Sequence, residues 1–472
     1  MAVQDAAPAA TAPAEEEGGG FGLTAAIALI IGSIIGVGIF NLPTSLAGYG
    51  PISLVSMGLT TVGALALAVL FSSLSKRLPA DGGPYAYARV AYGNAWGFAN
   101  AWSYWITAWA GNAAIAVGWV LYVEEFVNTD HNRLGSVLLV LVGLWIPAMI
   151  NLSGVKNMGS VQVITTVIKF AALIFMSIVG LFFIERANFS PWNVSGEGTL
   201  TAIGGGMAIG LFSYLGVECA AVAAGKVRDP DKNIGRATIF GTIATAVVYM
   251  VSLTVMFGVL PNAVLAQSTA PFSDAANSMF GGEWVGNLMA IAVIISGFGA
   301  LNGWTMICAE MPLAAAKDGL FPENFKRMSK NGVPAFGIIA STVLASIAMA
   351  INYLGSGGAT VFTTLVLMTG ITSAIPYGFS ALAQIKWRLA DNRELHTPRF
   401  VRDMVVAVLS VIFSILFIWY SRNTGNDFWV YWAPFFMAGG ALVLGVPIYR
   451  MQRNRMTEPA PVPPYRDPHA TT

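Results

Sequence analysis

Apolar residues run through this chain in blocks of about twenty, parted by short stretches where charge collects. A helix of that length crosses roughly 30 Å of hydrocarbon. The blocks begin near Leu23, Ile52, Tyr85, Ser136, Ser160, Thr201, Ala237, Glu283, Ala335, Thr360, Arg402 and Phe428. The pattern predicts an all-α integral membrane protein of about twelve transmembrane helices. Residues 1–21 stand outside it. They lack Lys and Arg and carry Glu15, Glu16 and Glu17, so they read as a disordered tail rather than a secretory signal. Residues 22–450 form the membrane domain. Residues 451–472 are Pro-rich and read as a second, extended tail.

Two blocks are interrupted. Residues 24–42 hold Gly32, Ser33, Gly36 and Gly38 in their middle. Each glycine lowers helix stability by about 0.8–1.0 kcal/mol relative to alanine. Residues 207–221 carry FSYLGVE, with an acidic residue at membrane depth. Unpaired backbone in hydrocarbon costs several kcal/mol per group, so such breaks persist only inside protein or beside a cavity. They fall in the first and sixth blocks. Five helices later the chain runs the other way, which predicts two inverted five-helix repeats with discontinuous helices 1 and 6, plus two C-terminal helices. Paired interruptions of this kind point to a transporter binding site. The glycines could instead serve only close helix packing.

Charge orders the loops. One set holds Lys76, Arg77, Arg89, Lys156, Lys226, Arg228, Lys317, Lys326, Arg388 and Arg402, and the C-terminal tail adds Arg450, Arg453 and Arg466. The alternate set holds Arg133, Arg186 and Arg422. The positive-inside rule therefore predicts cytoplasmic termini, and the location expected for the chain is the plasma membrane.

Composition agrees: 56% of the 472 residues are hydrophobic and 10% charged, too little charge for a soluble protein of this size. A net charge of +1 gives no footprint for nucleic acid. Cys219 and Cys308 lie inside spans and read as core residues, with no ligand set for a metal. His131, His396 and His469 receive no role. No GxSxG or HExxH motif falls where catalysis could use it, so the chain is not read as an enzyme, and no cofactor is implied.

The runs GSIIGVGIFNLP (32–43), DGGPYAYAR (81–89), YWITAWAGN (104–112), FSYLGVECAAVAAGKVRDPDKNIGRAT (212–238) and GWTMICAEMPLAAAKDGLFP (303–322) carry a resemblance. Together they resemble the amino acid–polyamine–organocation superfamily over residues 22–450. The likeness is greatest to bacterial basic amino-acid/polyamine antiporters, including the arginine/agmatine exchanger. It implies small amino-acid or amine substrates, with protons and the lipid bilayer as further partners. Monomer and homodimer both remain open.

The breaks suit a zwitterion. Backbone N–H groups at 33–38, with Ser33, Ile35, Gly36 and Gly38, can hold a carboxylate at the positive end of a half-helix. Carbonyls freed at 212–216, with Phe212, Ser213, Leu215 and Gly216, can accept from an ammonium. The resemblance makes Trp304 a pocket wall, and an indole face attracts cations by about 0.5–2 kcal/mol. It makes Asn112 a substrate contact, with Thr107, Ala108 and Ile115 on the same helix and Thr369 a further candidate. Tyr104 and Tyr377 resemble gate positions, though a buried Tyr can simply pack.

Two ionisable residues sit at membrane depth. A carboxylate such as Glu218 costs roughly 2.5–3.5 kcal/mol on insertion scales, so it must face a cavity, be protonated or be paired. In the family the matching Glu is linked to gating or protons. Lys169 resembles the lysine whose ammonium takes the place of sodium in sodium-independent relatives. The arginine/agmatine exchanger has no lysine there, has Asn where Ser33 stands, and has Trp where Phe212 stands. Glu310 reads as a salt-bridge or vestibule residue. The preferred reading is an exchanger of cationic amino acids and amines (arginine, ornithine, lysine, agmatine or putrescine). A proton-coupled symporter of neutral amino acids and a transport-inactive amino-acid sensor are the alternatives.

Overall fold

The computed structural model describes residues 22–80, 82–154, 158–222, 227–391, 397–423, 427–459 and 461–462. Lys156, Lys226, Arg466, His396 and His469, with all of the first expected tail and half of the second, lie outside the described residues.

Helices in chain order are α1 (Leu23–Ile34), α2 (Gly38–Ala47), α3 (Ser53–Arg77), α4 (Pro84–Tyr92), α5 (Asn94–Val123) and α6 (Arg133–Leu152). Then come α7 (Met158–Val179), α8 (Thr199–Gly210), α9 (Cys219–Val222), α10 (Pro230–Val259), α11 (Asn262–Leu265) and α12 (Pro271–Phe280). The last are α13 (Glu283–Lys317), α14 (Ala335–Tyr353), α15 (Gly358–Ala390), α16 (Pro398–Tyr420), α17 (Phe428–Val443) and α18 (Gly445–Gln452). Eleven segments among the described residues are long and apolar enough to span a membrane, counting α1 with α2 and α17 with α18. The interrupted α8 and α9 supply one more crossing. The protein is thus an all-helical, multi-pass membrane protein.

The block read from Tyr85 is two elements. Pro84 opens the short α4, and the chain turns at Gly93 (φ 90°, ψ 180°) before α5 begins. Apolar residues carry on across that turn, so the backbone alone separates the two helices.

Helices that face lipid wear apolar side chains outward. On α16, Val401, Val405, Val408, Ile412, Ile415 and Trp419 are exposed at helical spacing, while Asp403, Ser410 and Ser414 are buried. A water-soluble helix would reverse that pattern. The broken α1 and α2, α5 and α15 are the most buried crossings. They pack with α13 around the middle of the bundle, so anything held there is remote from both faces.

Candidate functional site

The first break lies at residues 35–37, between α1 and α2. A helix end leaves carbonyls without partners. Here two of them are met by side chains from other helices. Lys169 Nζ on α7 donates to the Gly32 oxygen at 2.7 Å, and the Tyr249 hydroxyl on α10 donates to the Ile34 oxygen at 3.0 Å. The Lys169 amine therefore sits at the negative end of the α1 dipole. The N-terminus of α2 has no side-chain cap. Further along, Asn41 Nδ2 donates to the oxygens of Val37 (3.2 Å) and Gly118 (3.1 Å), and Tyr122 donates to the Phe40 oxygen (2.8 Å). Those bonds clamp α2 to α5.

The second break follows Gly210. A 3₁₀ turn, Leu211–Tyr214, leads to irregular residues 215–218 before α9. Ser213 donates to the Gly210 oxygen at 2.7 Å, taking one freed carbonyl. Gly216 has φ 106°, and a β-carbon there would lie 2.8 Å from the Ser33 carbonyl carbon. Only glycine allows both that dihedral and that approach. The two breaks are therefore in backbone contact. The Phe212 ring covers Gly38, where a β-carbon would come within 2.8 Å of the ring edge. Phe212 in turn meets Phe362 of α15 edge-on, with centroids 5.9 Å apart.

Between the breaks is a cavity lined by Ser33, Ile34, Gly36, Gly38, Gly111, Ile115, Phe212, Ser213, Leu215 and Trp304. Its volume is only about 10 Å³. The slot is contracted, and an amino acid requires its walls to part. None of these lining side chains is charged. Eight expected residues meet here: Ser33, Gly36, Gly38, Ile115, Phe212, Ser213, Leu215 and Trp304. Ile34 and Gly111 line it too and carry no distinguishing sequence signal.

The remaining expected residues surround the slot. Ile35 and Gly216 are buried within the breaks. Ala108 is buried in α5, and the Thr107 hydroxyl shares a 2.8 Å bond with Thr372 of α15. Asn112 Nδ2 donates to Thr305 Oγ1 at 3.1 Å. Thr369 donates to the Val366 oxygen at 2.6 Å, and its methyl faces Gly111.

Glu218 is fully buried just before α9. Its Oε1 accepts from the Tyr104 hydroxyl at 2.7 Å, and its Oε2 from the Tyr377 hydroxyl at 2.7 Å and the Gly216 N–H at 3.3 Å. One carboxyl group thus joins α5, α15 and the second break. The three residues lie toward the Lys/Arg-rich face, where α5 begins and α15 ends. A hydrogen bond of this kind contributes about 0.5–1.5 kcal/mol.

The same face is tied by ion pairs. Arg89 of α4 contacts Asp318 at 2.6 Å, Tyr85 donates to Asp318 at 3.1 Å, and Arg89 also donates to the Thr457 oxygen at 2.8 Å. Arg77 pairs with Asp391 at 2.7 Å, and Arg388 with the buried Asp403 at 2.6 Å. Glu310 is partly exposed on α13. Cys219 and Cys308 are buried free thiols.

A helical bundle with two touching breaks around a central slot defines a membrane transporter architecture. The amino acid permease family matches residues 21–445, and the chain belongs to that family. Among curated proteins it is similar to the putrescine transporter PotE of Haemophilus influenzae, 32% identical across 81% of this chain and 87% of that protein. The arginine/ornithine antiporter of Pseudomonas aeruginosa is 29% identical, across 83% of this chain and 84% of its own length. The cadaverine/lysine antiporter of Escherichia coli K12 is 27% identical, across 84% and 88%.

Proposed function

We propose that this protein exchanges cationic amino acids and the amines formed by their decarboxylation, by alternating access. The observation that carries the reading is the contact of Gly216 with Ser33, which joins two broken helices beside an uncharged slot walled by Trp304. The solutes in the relatives' names (putrescine, arginine, ornithine, cadaverine and lysine) share a terminal ammonium or guanidinium.

In this reading the uncapped start of α2, at Gly38, takes the substrate carboxylate, and the Gly36 N–H, which donates to the Ile34 oxygen at 2.9 Å, joins it only by leaving that bond. The carbonyl-rich end of α8 takes the α-ammonium. The Trp304 face takes the distal cation, by an attraction of about 0.5–2 kcal/mol. A diamine has no carboxylate and uses only the cation-binding parts, so amino acid and amine can share one site. Phe212 closes the slot on one side. Tyr104, Glu218 and Tyr377 close it on the other. Lys169 holds α7 to the end of α1, with its amine in the place that a sodium ion takes in coupled relatives. The scheme needs no catalytic residue, metal or cofactor.

Lys76, Arg77, Arg89, Lys317, Arg388 and Arg402 mark one face, which we assign to the cytoplasm with both termini. The cell membrane of a bacterium is the location this implies. Residues 22–450 then act as one transport domain.

Counterflow tests the proposal. Proteoliposomes loaded with unlabelled arginine receive external labelled arginine, then ornithine, lysine, agmatine, putrescine, leucine and alanine in turn. Accumulation that needs a cationic solute on both sides is expected. Uptake of neutral amino acids into empty vesicles, driven by a pH gradient, would replace exchange with proton symport. Binding without flux of any solute would replace it with sensing.

A further inference from the structure

We propose that Thr305 sets the charge preference of the slot by fixing which end of the Asn112 amide is left free. This rests on the exchanger reading and concerns the distal end of the substrate. Thr305 follows Trp304 on α13, and Asn112 follows Gly111 on α5; Trp304 and Gly111 both line the slot. Thr305 is 1% exposed, and its hydroxyl donates to the Leu301 oxygen at 2.7 Å. A hydroxyl has one proton to give. Toward Asn112, Thr305 can therefore only accept, and Asn112 Nδ2 donates to it at 3.1 Å. The amide is locked by that bond.

What remains is Asn112 Oδ1. The residue is 3% exposed, and this oxygen has no hydrogen-bond partner among the described residues. A buried acceptor without a donor is costly, which makes it receptive to a ligand that brings one. Ammonium and guanidinium groups bring donors only. Reversed, the amide would meet an incoming cation with its own N–H groups. A neutral side chain thus reads positive charge by polarity of the hydrogen bond. It does so without a fixed carboxylate, whose attraction in a dry site would oppose the release that exchange demands.

The test uses the full-length protein in proteoliposomes, with equilibrium binding and counterflow of arginine and of citrulline, its uncharged near-isostere. Wild type should favour arginine. Thr305→Val should lower arginine affinity about tenfold or more and narrow the arginine-to-citrulline ratio. Thr305→Ser should restore both. In an Asn112→Ala background, Thr305→Val should change neither, because it acts through the amide. An unchanged ratio in Thr305→Val, or additive effects in the double variant, overturns the proposal and leaves the exchanger reading standing. Asn112→Ala alone must also narrow the ratio; if it does not, the proposal falls regardless of how Thr305→Val folds. A wild type that binds neither arginine, ornithine nor putrescine defeats the exchanger reading itself.

Discussion

Ser33 and Gly216 touch through their main chains: a β-carbon on Gly216 would sit 2.8 Å from the Ser33 carbonyl carbon and 2.9 Å from its oxygen. That contact is where the two interrupted helices meet. It turns two local weaknesses into one shared site.

Gly216→Ala should therefore abolish exchange while the protein still inserts. The φ of 106° alone strains a non-glycine residue by about 1–3 kcal/mol, and the clash with backbone adds to it. Membrane yield and counterflow, measured together, check this. Normal flux in Gly216→Ala would mean that the breaks need not touch.

The gate at Tyr104, Glu218 and Tyr377 can be read with a native probe, since Cys219 adjoins Glu218 and is buried. In a Cys308→Ala background, Tyr104→Phe or Tyr377→Phe should speed labelling of Cys219 by a water-soluble maleimide. Each loses a bond worth about 0.5–1.5 kcal/mol. Labelling as slow as in the parent would show that these bonds do not hold this end shut.

Lys169→Met removes the side-chain donor that meets the Gly32 oxygen. Turnover should fall more than membrane insertion, with the buried carbonyl left short by about 1–3 kcal/mol. Wild-type exchange at every pH would deny Lys169 a part in the cycle. Trp304→Leu, by contrast, should weaken binding of cationic solutes through loss of about 0.5–2 kcal/mol, with little effect on neutral ones.

Glu125 offers a pH signature away from the site. It lies exposed in the turn after α5, yet partial burial first and the Asp274 charge second hold its carboxyl above the usual range. The folded protein then keeps this proton to higher pH than the unfolded chain does. Stability is full below the unfolded pKa and declines as pH rises through the folded one. Glu125→Gln should flatten that decline in thermal melts as pH rises above the ordinary glutamate range, about pH 4. Because the side chain is exposed, the change should be small.

Much of this was legible in the chain because hydrocarbon leaves few options. Gly36, Gly38 and Gly216 stand out in apolar blocks, and a lone Glu218 or Lys169 at depth demands a partner. The partners themselves were not legible. Tyr249 reaches Ile34 from α10, and Thr305 reaches Asn112 from α13. Neither has a local pattern that separates it from any buried hydroxyl. Likewise α4 and α5 read as one block, because a turn at Gly93 leaves the run of apolar residues intact.

The most direct test is a structure of the protein with ornithine bound. Its carboxylate should lie within hydrogen-bond distance of the N–H groups at residues 37 and 38, with the side-chain ammonium against Trp304. Ornithine seated elsewhere, or α1 and α2 fused into one unbroken helix around the ligand, would contradict the account.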